Sequence, residues 1–476
     1  MRRNIMKILP LIAVVLFLSL YFVSCPDDND NVENVYLSSK GVSGSYKDDG
    51  SYVAGKGSGD LFEIISPYQN VNWDAVDQFK SANHVHTINS DGSATMSQLL
   101  QLYYDLDYDI ITVTDHVHAE NHGRRAPLED TEDMPHRPYV NLINRDVTND
   151  KWQHGEQTAD KKTYVSNLSH ITQDQKTKYE NGTADSATRS VNRGMQMIKG
   201  TAELAPEGDE VNVFFYPQNR LPPKAWDNVL RGALADMHDA GAIGFINHPG
   251  RTTGAMKDEN KLLEPTDPEN PSNQGVWIRY YANRYIEFPI TTLTGMEIFN
   301  RRDDDSFHDR VLWDNVNKLT IPQGRFVWGY GNDDFHSTNV SATGNGAHIN
   351  YNVMLMPSNT PENFRKAMVN GHSYIVTVVA FNEGVDITSL TPWKQRPAIT
   401  SIIFEDDLII INAVNANKVV WISDGRTIKT ETGTTGFYFI NLADPAIIDD
   451  VGSFVRANII GPDGMAVIQP ISTKRK

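Results

Sequence analysis

The sequence predicts a mixed α/β protein whose C-terminal part is all β, and three observations support this prediction. The chain has 476 residues, enough for about three domains at roughly 150 residues each. Short β-branched runs alternate with stretches of helical periodicity between residues 81 and 380. From residue 397 onward, short alternating strands follow one another, with turn residues between them and no helical pattern.

The α/β part shows this alternation first at residues 110–114, an Ile-Ile-Thr-Val-Thr run typical of a buried parallel strand. Residues 222–240 carry apolar side chains at helical spacing, Gly241 ends that helix, and residues 242–246 predict the next strand. The alternation continues with a strand at 294–299, a helix at 306–316, a strand at 326–330 and a helix at 361–369. Repeated strand–helix units predict a parallel sheet, either open or closed into a barrel.

The C-terminal part predicts a small β-sandwich of structural or accessory role. Turn signals such as Asp424-Gly425 separate its apolar runs. The candidate strands lie at 401–404, 408–411, 419–422, 436–440, 454–459 and 465–468. Six short strands in about 75 residues are typical of a two-sheet arrangement.

The chain is acidic, with 43 Lys and Arg against 60 Asp and Glu, and its formal net charge is −17. Non-specific nucleic-acid binding depends on Lys and Arg that neutralise phosphates, so nucleic acid is not an expected partner. A small phosphorylated substrate is compatible with this charge, because bound metal ions can dominate the local field. The single cysteine excludes a disulfide framework within the chain and a cysteine-rich zinc site.

The N-terminus predicts an export signal. Arg2, Arg3 and Lys7 precede an apolar run at 8–23, which is shorter than the roughly 20 residues needed to span a bilayer. With Cys25 directly after it, the segment resembles a bacterial lipoprotein signal, whose cysteine becomes the lipidated first residue of the mature protein. We therefore predict an exported protein, lipid-anchored in the bacterial cell envelope, in the outer membrane on its periplasmic or surface face.

Composition and pattern together predict four segments. They are a lipoprotein-type signal peptide at 1–25, a flexible tether and lead-in at 26–80, the α/β segment at 81–380, and a β domain at 395–476. A polar stretch at about 119–200 interrupts the strand–helix alternation and predicts an insertion over one rim of the α/β segment.

Histidine and carboxylate residues cluster where the predicted strands end. His84 and His86 stand two residues apart, so in a strand both side chains face the same side and can bind one metal ion. The other strand ends carry Asp115 with His116, His248, and Asp334 with His336. In parallel α/β barrels the C-terminal ends of the strands meet on one face, where catalytic groups lie. We therefore predict that these residues converge on one site.

These motifs resemble those of the PHP (polymerase and histidinol phosphatase) metal-dependent phosphoesterases. The likeness covers residues 80–378, and its motifs are His-Val-His-Thr at 84–87, Ser-Asp-Gly at 90–92, Ile-Thr-Val-Thr-Asp-His at 111–116, the His-Pro step at 248–249 and Asp-x-His at 334–336. The resemblance implies a distorted (βα)7 PHP-type barrel, which the small all-β sandwich-like domain predicted from the strand pattern would follow. It also implies a site for two or three divalent metal ions.

The resemblance implies a ligand set in which each ion is held by residues from several strands. His84, His86 and Asp334 would hold the first ion; Asp91, His116 and His336 would hold another; Glu203 would bridge, with His248 on the ion that it shares. Three positions keep alternatives open. Asp333 competes with Asp334; Glu207, Asp209 and Glu210 lie close enough to be mistaken for Glu203; and Glu297 either lies by the site or caps the barrel, with the cap favoured.

The function that follows is hydrolysis of a phosphate ester, by attack of a metal-bound hydroxide on phosphorus. Ligands of the His and carboxylate types suit Mn²⁺, Zn²⁺ or Fe²⁺. Arg251 is predicted to bind phosphate oxygens, and His118, His122 or His308 to protonate the leaving group. Two alternatives stay open, a metal-dependent carboxyl ester, carbamate or amide hydrolase on the same barrel, and a surface ligand-binding lipoprotein without turnover. The sequence specifies neither the substrate nor the oligomeric state.

Overall fold

The structure is a computed structural model of the 476-residue chain. It describes residues 59–87, 90–117, 171–204, 209–217, 229–253, 267–303, 306–339, 346–387 and 396–476, and the backbone of 45–46 and 52–53. The predicted signal peptide with Cys25, most of the tether, His118 and residues 119–170 of the predicted insertion lie outside the described residues. Every described element belongs to one compact unit, Ser39–Lys476.

The described residues include seven α-helices and four 3₁₀ helices. The α-helices are α1 (Met96–Asp105), α2 (Gln173–Glu180), α3 (Val229–Asp239), α4 (Pro249–Thr253), α5 (Gly275–Glu287), α6 (Asp309–Thr320) and α7 (Pro361–Asn370). The 3₁₀ helices are Pro271–Asn273, Ile321–Gln323, Phe381–Glu383 and Ile448–Asp450. None of the helices in these ranges has the length and apolar character required to cross a membrane.

Twenty-four strands accompany these helices in the described residues. Up to the C-terminal part they are β1 (Ser45–Tyr46), β2 (Tyr52–Val53), β3 (Phe62–Ile65), β4 (Asp77–Ala82), β5 (Ile110–Ile111), β6 (His116–Val117), β7 (Gln196–Met197), β8 (Ala202–Leu204), β9 (Glu210–Phe214), β10 (Ile243–Asn247), β11 (Leu293–Asn300), β12 (Trp328–Asn332), β13 (Asn350–Met356), β14 (Ser373–Thr377), β15 (Val379–Ala380) and β16 (Val385–Asp386). The C-terminal strands are β17 (Ala398–Glu405), β18 (Leu408–Val414), β19 (Lys418–Ser423), β20 (Arg426–Thr432), β21 (Phe437–Asn441), β22 (Phe454–Gly461), β23 (Gly464–Ile468) and β24 (Ile471–Arg475). The fold is therefore mixed α/β.

Two large sheets contain most of these strands. One has the order β12-β11-β10-β9-β8-β6; the other has eleven strands along the path β20-β19-β22-β23-β14-β13-β4-β5-β7, with β24 and β3 at its side. The strand order does not confirm the predicted (βα)7 barrel, because the strands divide between two sheets and β9 runs antiparallel to β8 and β10. A parallel bridge between Val85 and Phe335 joins the segments that follow β4 and β12.

The α/β elements follow the apolar pattern of the sequence. The predicted strands at 242–246 and 294–299 are confirmed as β10 and β11, both buried along their whole length, and the predicted helix at 361–369 is confirmed as α7. The helix predicted from residue 306 begins three residues later, at Asp309, because residues 306–308 form a turn. The run at 110–114 forms a strand only as far as Ile111, and residues 112–115 belong to no strand before β6 pairs in the other sheet.

Helix α1 shows how local sequence determines an element near the site. Thr95 caps its first turn by accepting a hydrogen bond from the backbone N–H of Gln98. Its buried side chains, which share one face, are Met96, Leu99, Leu100, Tyr103 and Tyr104. This face packs on Val85, in the segment that carries the first two histidines of the predicted site.

The C-terminal strands form two layers, as the sandwich-like prediction expects. A sheet with the order β17-β18-β21 packs against β19 and β22 of the eleven-stranded sheet, through buried residues such as Ile402, Ile411, Trp421 and Ile459. The six predicted strands are all present; β20 and β24 were not predicted. Strand β23 also pairs with β14, so C-terminal strands share a sheet with α/β strands. The predicted boundary near 380–395 stays a prediction, since residues 388–395 lie outside the described ranges.

Candidate metal centre

The predicted site residues lie at the ends of neighbouring strands. His84 and His86 follow β4, and both side chains are fully buried, with ring centroids 5.1 Å apart. His116 begins β6 and Glu203 lies in β8, where the two are direct partners in the parallel register. His248 follows β10 directly. The parallel pairing of β6 with β8 therefore brings Glu203 to the site, although 87 residues separate it from His116 in the sequence.

Glu203 is the central carboxylate of the cluster. Its Oε1 lies 3.2 Å from His84 Nε2 and 3.7 Å from His248 Nε2. Its Oε2 lies 3.3 Å from His86 Nε2 and 3.1 Å from His116 Nδ1. Four histidines from three segments thus face one buried carboxylate. This is the arrangement expected of a bridging ligand.

Asp334 provides the second carboxylate, after β12. Its Oδ1 lies 3.3 Å from both His84 Nε2 and His86 Nε2. Its Oδ2 faces two guanidinium groups, Arg251 Nη2 at 3.1 Å and Arg301 Nη2 at 3.0 Å. Asp334 adopts a positive φ of 45°, in the left-handed region that only a few per cent of non-glycine residues occupy. That backbone turn lies directly between the end of the strand and His336.

Asp91 provides the third carboxylate that faces the histidines, and it lies at the more exposed side of the site. Its Oδ1 lies 3.1 Å from His336 Nε2, 3.5 Å from His116 Nε2 and 3.6 Å from His86 Nδ1. The Asp91 side chain is 44% exposed, whereas Glu203 and Asp334 are buried. All eight predicted ligands therefore lie in one cluster, and its outer edge at Asp91 is open to solvent.

Asp333, the alternative to Asp334 as a ligand, has a structural role: its carboxylate holds a neighbouring loop. Its carboxylate accepts backbone N–H hydrogen bonds from His348, Ile349 and Asn350 at 2.7–2.9 Å, and one from the Tyr103 hydroxyl at 3.1 Å. Burial raises the pKa of Asp333 to about 6, although these donors oppose the shift. Asp333 therefore anchors the loop before β13, and Asp334 is the carboxylate that faces the histidines.

Two further carboxylates lie at the site, and neither was predicted as a ligand. Glu210 Oε2 lies 3.0 Å from His248 Nε2, and Glu210 forms a possible ligand group with His116 and Glu203. Glu297, for which the position of a barrel cap was favoured, lies 3.1 Å from His84 Nδ1 through its Oε1. Of the other residues near Glu203, Asp209 accepts hydrogen bonds from Tyr280 and Tyr281, and Glu207 lies outside the described residues.

The donor atoms fit divalent metal ions. In the described residues, His84 Nε2, His86 Nε2 and Glu203 Oε2 are buried and make no hydrogen bond, although buried polar atoms are nearly always hydrogen-bonded. Four groups have ligand atoms within 4.8 Å of one another: His86-Asp91-His116-His336, His84-His86-Glu203, His116-Glu203-Glu210 and His84-His248-Glu297. These donors are imidazole nitrogens and carboxylate oxygens, both of which bind divalent metal ions.

Electrostatics keep the two central carboxylates ionised. Burial alone would raise the pKa of Glu203, yet the opposing effects of His84 and His116 hold it at about 2. Burial likewise opposes ionisation of Asp334, but Arg301 and His84 hold its pKa well below the usual range. Both groups are therefore carboxylates at neutral pH, the state that metal binding requires.

Of the three predicted proton donors, His308 is the one that lies in the described residues. His118 and His122 lie outside those residues. His308 is only 1% exposed, and its Nδ1 lies 2.9 Å from Asn270 Nδ2. Burial and the charge of Arg310 lower the pKa of His308 to about 4, so it is neutral at pH 7 and cannot donate a proton from an imidazolium. Its burial and lowered pKa disfavour His308 as the general acid, and the choice among His118, His122 and His308 stays a prediction.

No family model matches the chain, and no curated protein matches it. A solved structure from Bacteroides vulgatus, described as a two-domain protein containing a predicted PHP-like metal-dependent phosphoesterase, is 14% identical and aligns over 87% of this chain and 98% of that chain, with a TM-score of 0.39. A likeness at this identity and TM-score is too weak to assign a family or an activity.

Proposed function

We propose that the protein is a PHP-type metal-dependent hydrolase that cleaves a phosphate ester. The observation that carries the proposal is the convergence of His84, His86, His116 and His248 on the buried carboxylate of Glu203. We also propose that the strands form a distorted barrel of the PHP type; the Val85–Phe335 bridge supports closure between β4 and β12. Divergent members of one fold can differ in chemistry, so the proposal rests on the site.

The proposed cofactor is two or three divalent ions, Mn²⁺, Zn²⁺ or Fe²⁺. His84, His86, Glu203 and Asp334 would hold one ion; Asp91, His116 and His336 a second; and Glu203, Glu210 and His248 would complete a third. Such ions, when bound, supply Lewis-acid charge that polarises phosphoryl oxygens. Three closely spaced donor sets support more than one ion, because Glu203 can contribute to two of them.

The arginines at the site support an anionic substrate. Arg251 and Arg301 both donate toward Asp334 Oδ2, and their side chains are 32% and 22% exposed. A guanidinium presents paired N–H donors that match two phosphate oxygens. We propose that Arg251 and Arg301 bind the phosphate and neutralise its charge. Their binding would orient the phosphorus beside Asp334. Protonation of the leaving group stays assigned to His118 as a proposal.

An ester panel tests the proposed reaction. With Mn²⁺ added, we expect nitrophenyl phosphate or bis-nitrophenyl phosphate to be hydrolysed at least tenfold faster than nitrophenyl acetate, because both arginines favour an anionic ester. EDTA should abolish this activity. Preference for nitrophenyl acetate would indicate the carboxyl ester alternative, and bound metal without turnover of any ester would indicate a ligand-binding protein.

We further propose that the protein is exported and anchored by a lipid on Cys25, with the tether between the membrane and the folded unit. The basic and apolar residues at 2–23 support this proposal. In a bacterial host, Cys25→Ala should move the protein from the membrane fraction to the soluble fraction and abolish incorporation of labelled fatty acid. Continued fatty-acid labelling of the Cys25→Ala protein would rule out this anchor.

A further inference from the structure

Glu297 makes a complete set of hydrogen bonds inside the site. Its side chain is fully buried in β11. Oε1 lies 3.1 Å from His84 Nδ1 and accepts a hydrogen bond from Asn332 Nδ2 at 2.9 Å. Oε2 accepts hydrogen bonds from Asn300 Nδ2 at 2.9 Å and from the backbone N–H of His248 at 3.1 Å. Each carboxylate oxygen thus has two partners.

The contact with His84 determines which ring nitrogen faces the cluster. A carboxylate only accepts hydrogen bonds, so His84 Nδ1 must carry the proton that it shares with Glu297. The opposite nitrogen, Nε2, then points between Glu203 at 3.2 Å and Asp334 at 3.3 Å. A carboxylate behind a metal-binding histidine fixes the tautomer and raises the basicity of the donor nitrogen.

The contact with His248 acts on the backbone. His248 follows β10 with a positive φ of 21°, a conformation that is uncommon for a non-glycine residue. The hydrogen bond from its N–H to Glu297 Oε2 holds this turn, and the ring Nε2 lies 3.0 Å from Glu210. One carboxylate therefore positions two histidines that follow different strands, β4 and β10.

Neighbouring amides hold Glu297 in an acceptor role. Asn332 Oδ1 accepts hydrogen bonds from the backbone N–H of Asn83 at 3.2 Å and from Asn352 Nδ2 at 3.0 Å, which orients its Nδ2 toward Glu297. An ion bound directly by Glu297 would have to displace one of its four partners. Although the ligand atoms of His84, His248 and Glu297 lie within 4.8 Å of one another, this hydrogen bonding favours a supporting role.

We infer that Glu297 is a positioning residue that holds His84 and His248 in metal-binding geometry and thereby sets the metal affinity of two neighbouring positions. The inference rests on the proposed metal-dependent function, but not on the identity of the ester. Partners of this kind typically change metal affinity by about 10- to 100-fold when they are mutated.

The test is titration of purified, metal-free protein with Mn²⁺ by calorimetry, comparing wild type with Glu297→Gln. Glutamine keeps the volume but turns one acceptor into a donor that faces existing donors. We expect Mn²⁺ affinity to fall about 10- to 100-fold with the number of bound ions unchanged. Asp314→Asn is the matched control, because Asp314 is a buried carboxylate that accepts its hydrogen bonds from Arg456. It should lose stability and keep its Mn²⁺ affinity.

Two outcomes of this titration would overturn the inference. Unchanged affinity in a folded Glu297→Gln protein would remove the positioning role, and the loss of one bound ion would make Glu297 a direct ligand. Should Glu297→Gln fail to fold, ¹⁵N NMR of histidine-labelled, Zn²⁺-loaded wild type decides: His84, assigned with a His84→Asn variant, must be protonated at Nδ1. A proton on Nε2 refutes the inference. None of these readouts requires turnover, so a failed ester panel leaves them intact.

Discussion

The double variant His84→Ala/His86→Ala is expected to lose divalent metal binding and at least about 10³-fold in turnover. The two Nε2 atoms lie 3.2–3.3 Å from Glu203 and Asp334, so their removal leaves the carboxylates without the nitrogen donors that face them. Metal ions supply several kcal/mol of transition-state stabilisation, and each 1.36 kcal/mol corresponds to a factor of ten in rate. Metal content by mass spectrometry and hydrolysis with added Mn²⁺ provide the two measurements.

A remote histidine provides the control for this experiment. His238, at the C-terminal end of α3, has its Nδ1 2.9 Å from the Thr292 hydroxyl. His238→Ala should keep full metal content and turnover while losing some stability. Circular dichroism and urea denaturation should show that the double variant still unfolds cooperatively. A folded double variant that retains metal at wild-type stoichiometry contradicts the assignment of this site.

The location of the site could be predicted from the sequence because strand geometry is local. His84 and His86 are two positions apart, so their side chains face the same side of an extended segment. Asp334 and His336 have the same spacing. This two-residue step favoured Asp334 over Asp333, and Asp334 is the carboxylate that faces the histidines. The role of Asp333 could not be predicted, because it depends on backbone donors at 348–350. Those donors are brought close only by the folded loop before β13.

Glu210 was considered only as an alternative to Glu203, and its position at the site beside Glu203 was not predicted, for a reason of topology. The prediction collected residues at the C-terminal ends of strands, as a fully parallel sheet requires. Strand β9 runs antiparallel, and its first residue, Glu210, pairs with Asn247 at the last position of β10. The start of an antiparallel strand thus lies at the same edge as the ends of its neighbours. No local pattern in the sequence indicates that one strand of the series is reversed.

The predicted division of the chain into four segments also used local patterns alone, and such patterns do not reveal which distant strands pair. Residues 62–65 of the predicted lead-in form β3, which pairs with β24 near the C-terminus, across more than 400 residues. The pattern at 471–475 alternates weakly, and β20 is largely exposed, so neither strand has the apolar signature of the six that were predicted. Long-range pairing of this kind follows from shared burial and cannot be derived from either segment alone.

Deletion of residues 396–476 is expected to unfold the rest of the chain, although the sequence suggested a separate, accessory β domain. The deletion would remove β23 from β14 and β24 from β3, leaving two unpaired strand edges. It would also remove the Gln469 side chain, whose amide accepts from the Gly329 N–H at 2.8 Å and donates to the Gly329 carbonyl at 2.9 Å. Strand β12, which leads to Asp334, would thus lose a buried support.

The energetic cost of the deletion is comparable to the whole stability of an ordinary domain. Tyr68, Leu355, Tyr374 and Val376 are buried in a cluster shared with the C-terminal strands, and their exposure costs about 6–12 kcal/mol at roughly 1.5–3 kcal/mol for each side chain. Asp314 would in addition lose Arg456, and breaking one buried ion pair costs about 3–5 kcal/mol. A folded domain typically has only about 5–15 kcal/mol of stability.

Near-UV circular dichroism and urea denaturation measure this effect on a chain that ends at residue 395. We expect it to show no cooperative transition and no Mn²⁺ affinity. A full-length chain cut by a protease at a site engineered within 388–395 is the control, since both pieces remain present and should copurify as a folded complex. A truncated chain that unfolds cooperatively and binds Mn²⁺ like the full chain would show that the C-terminal strands are dispensable, because the metal-binding strands would then hold their geometry without them.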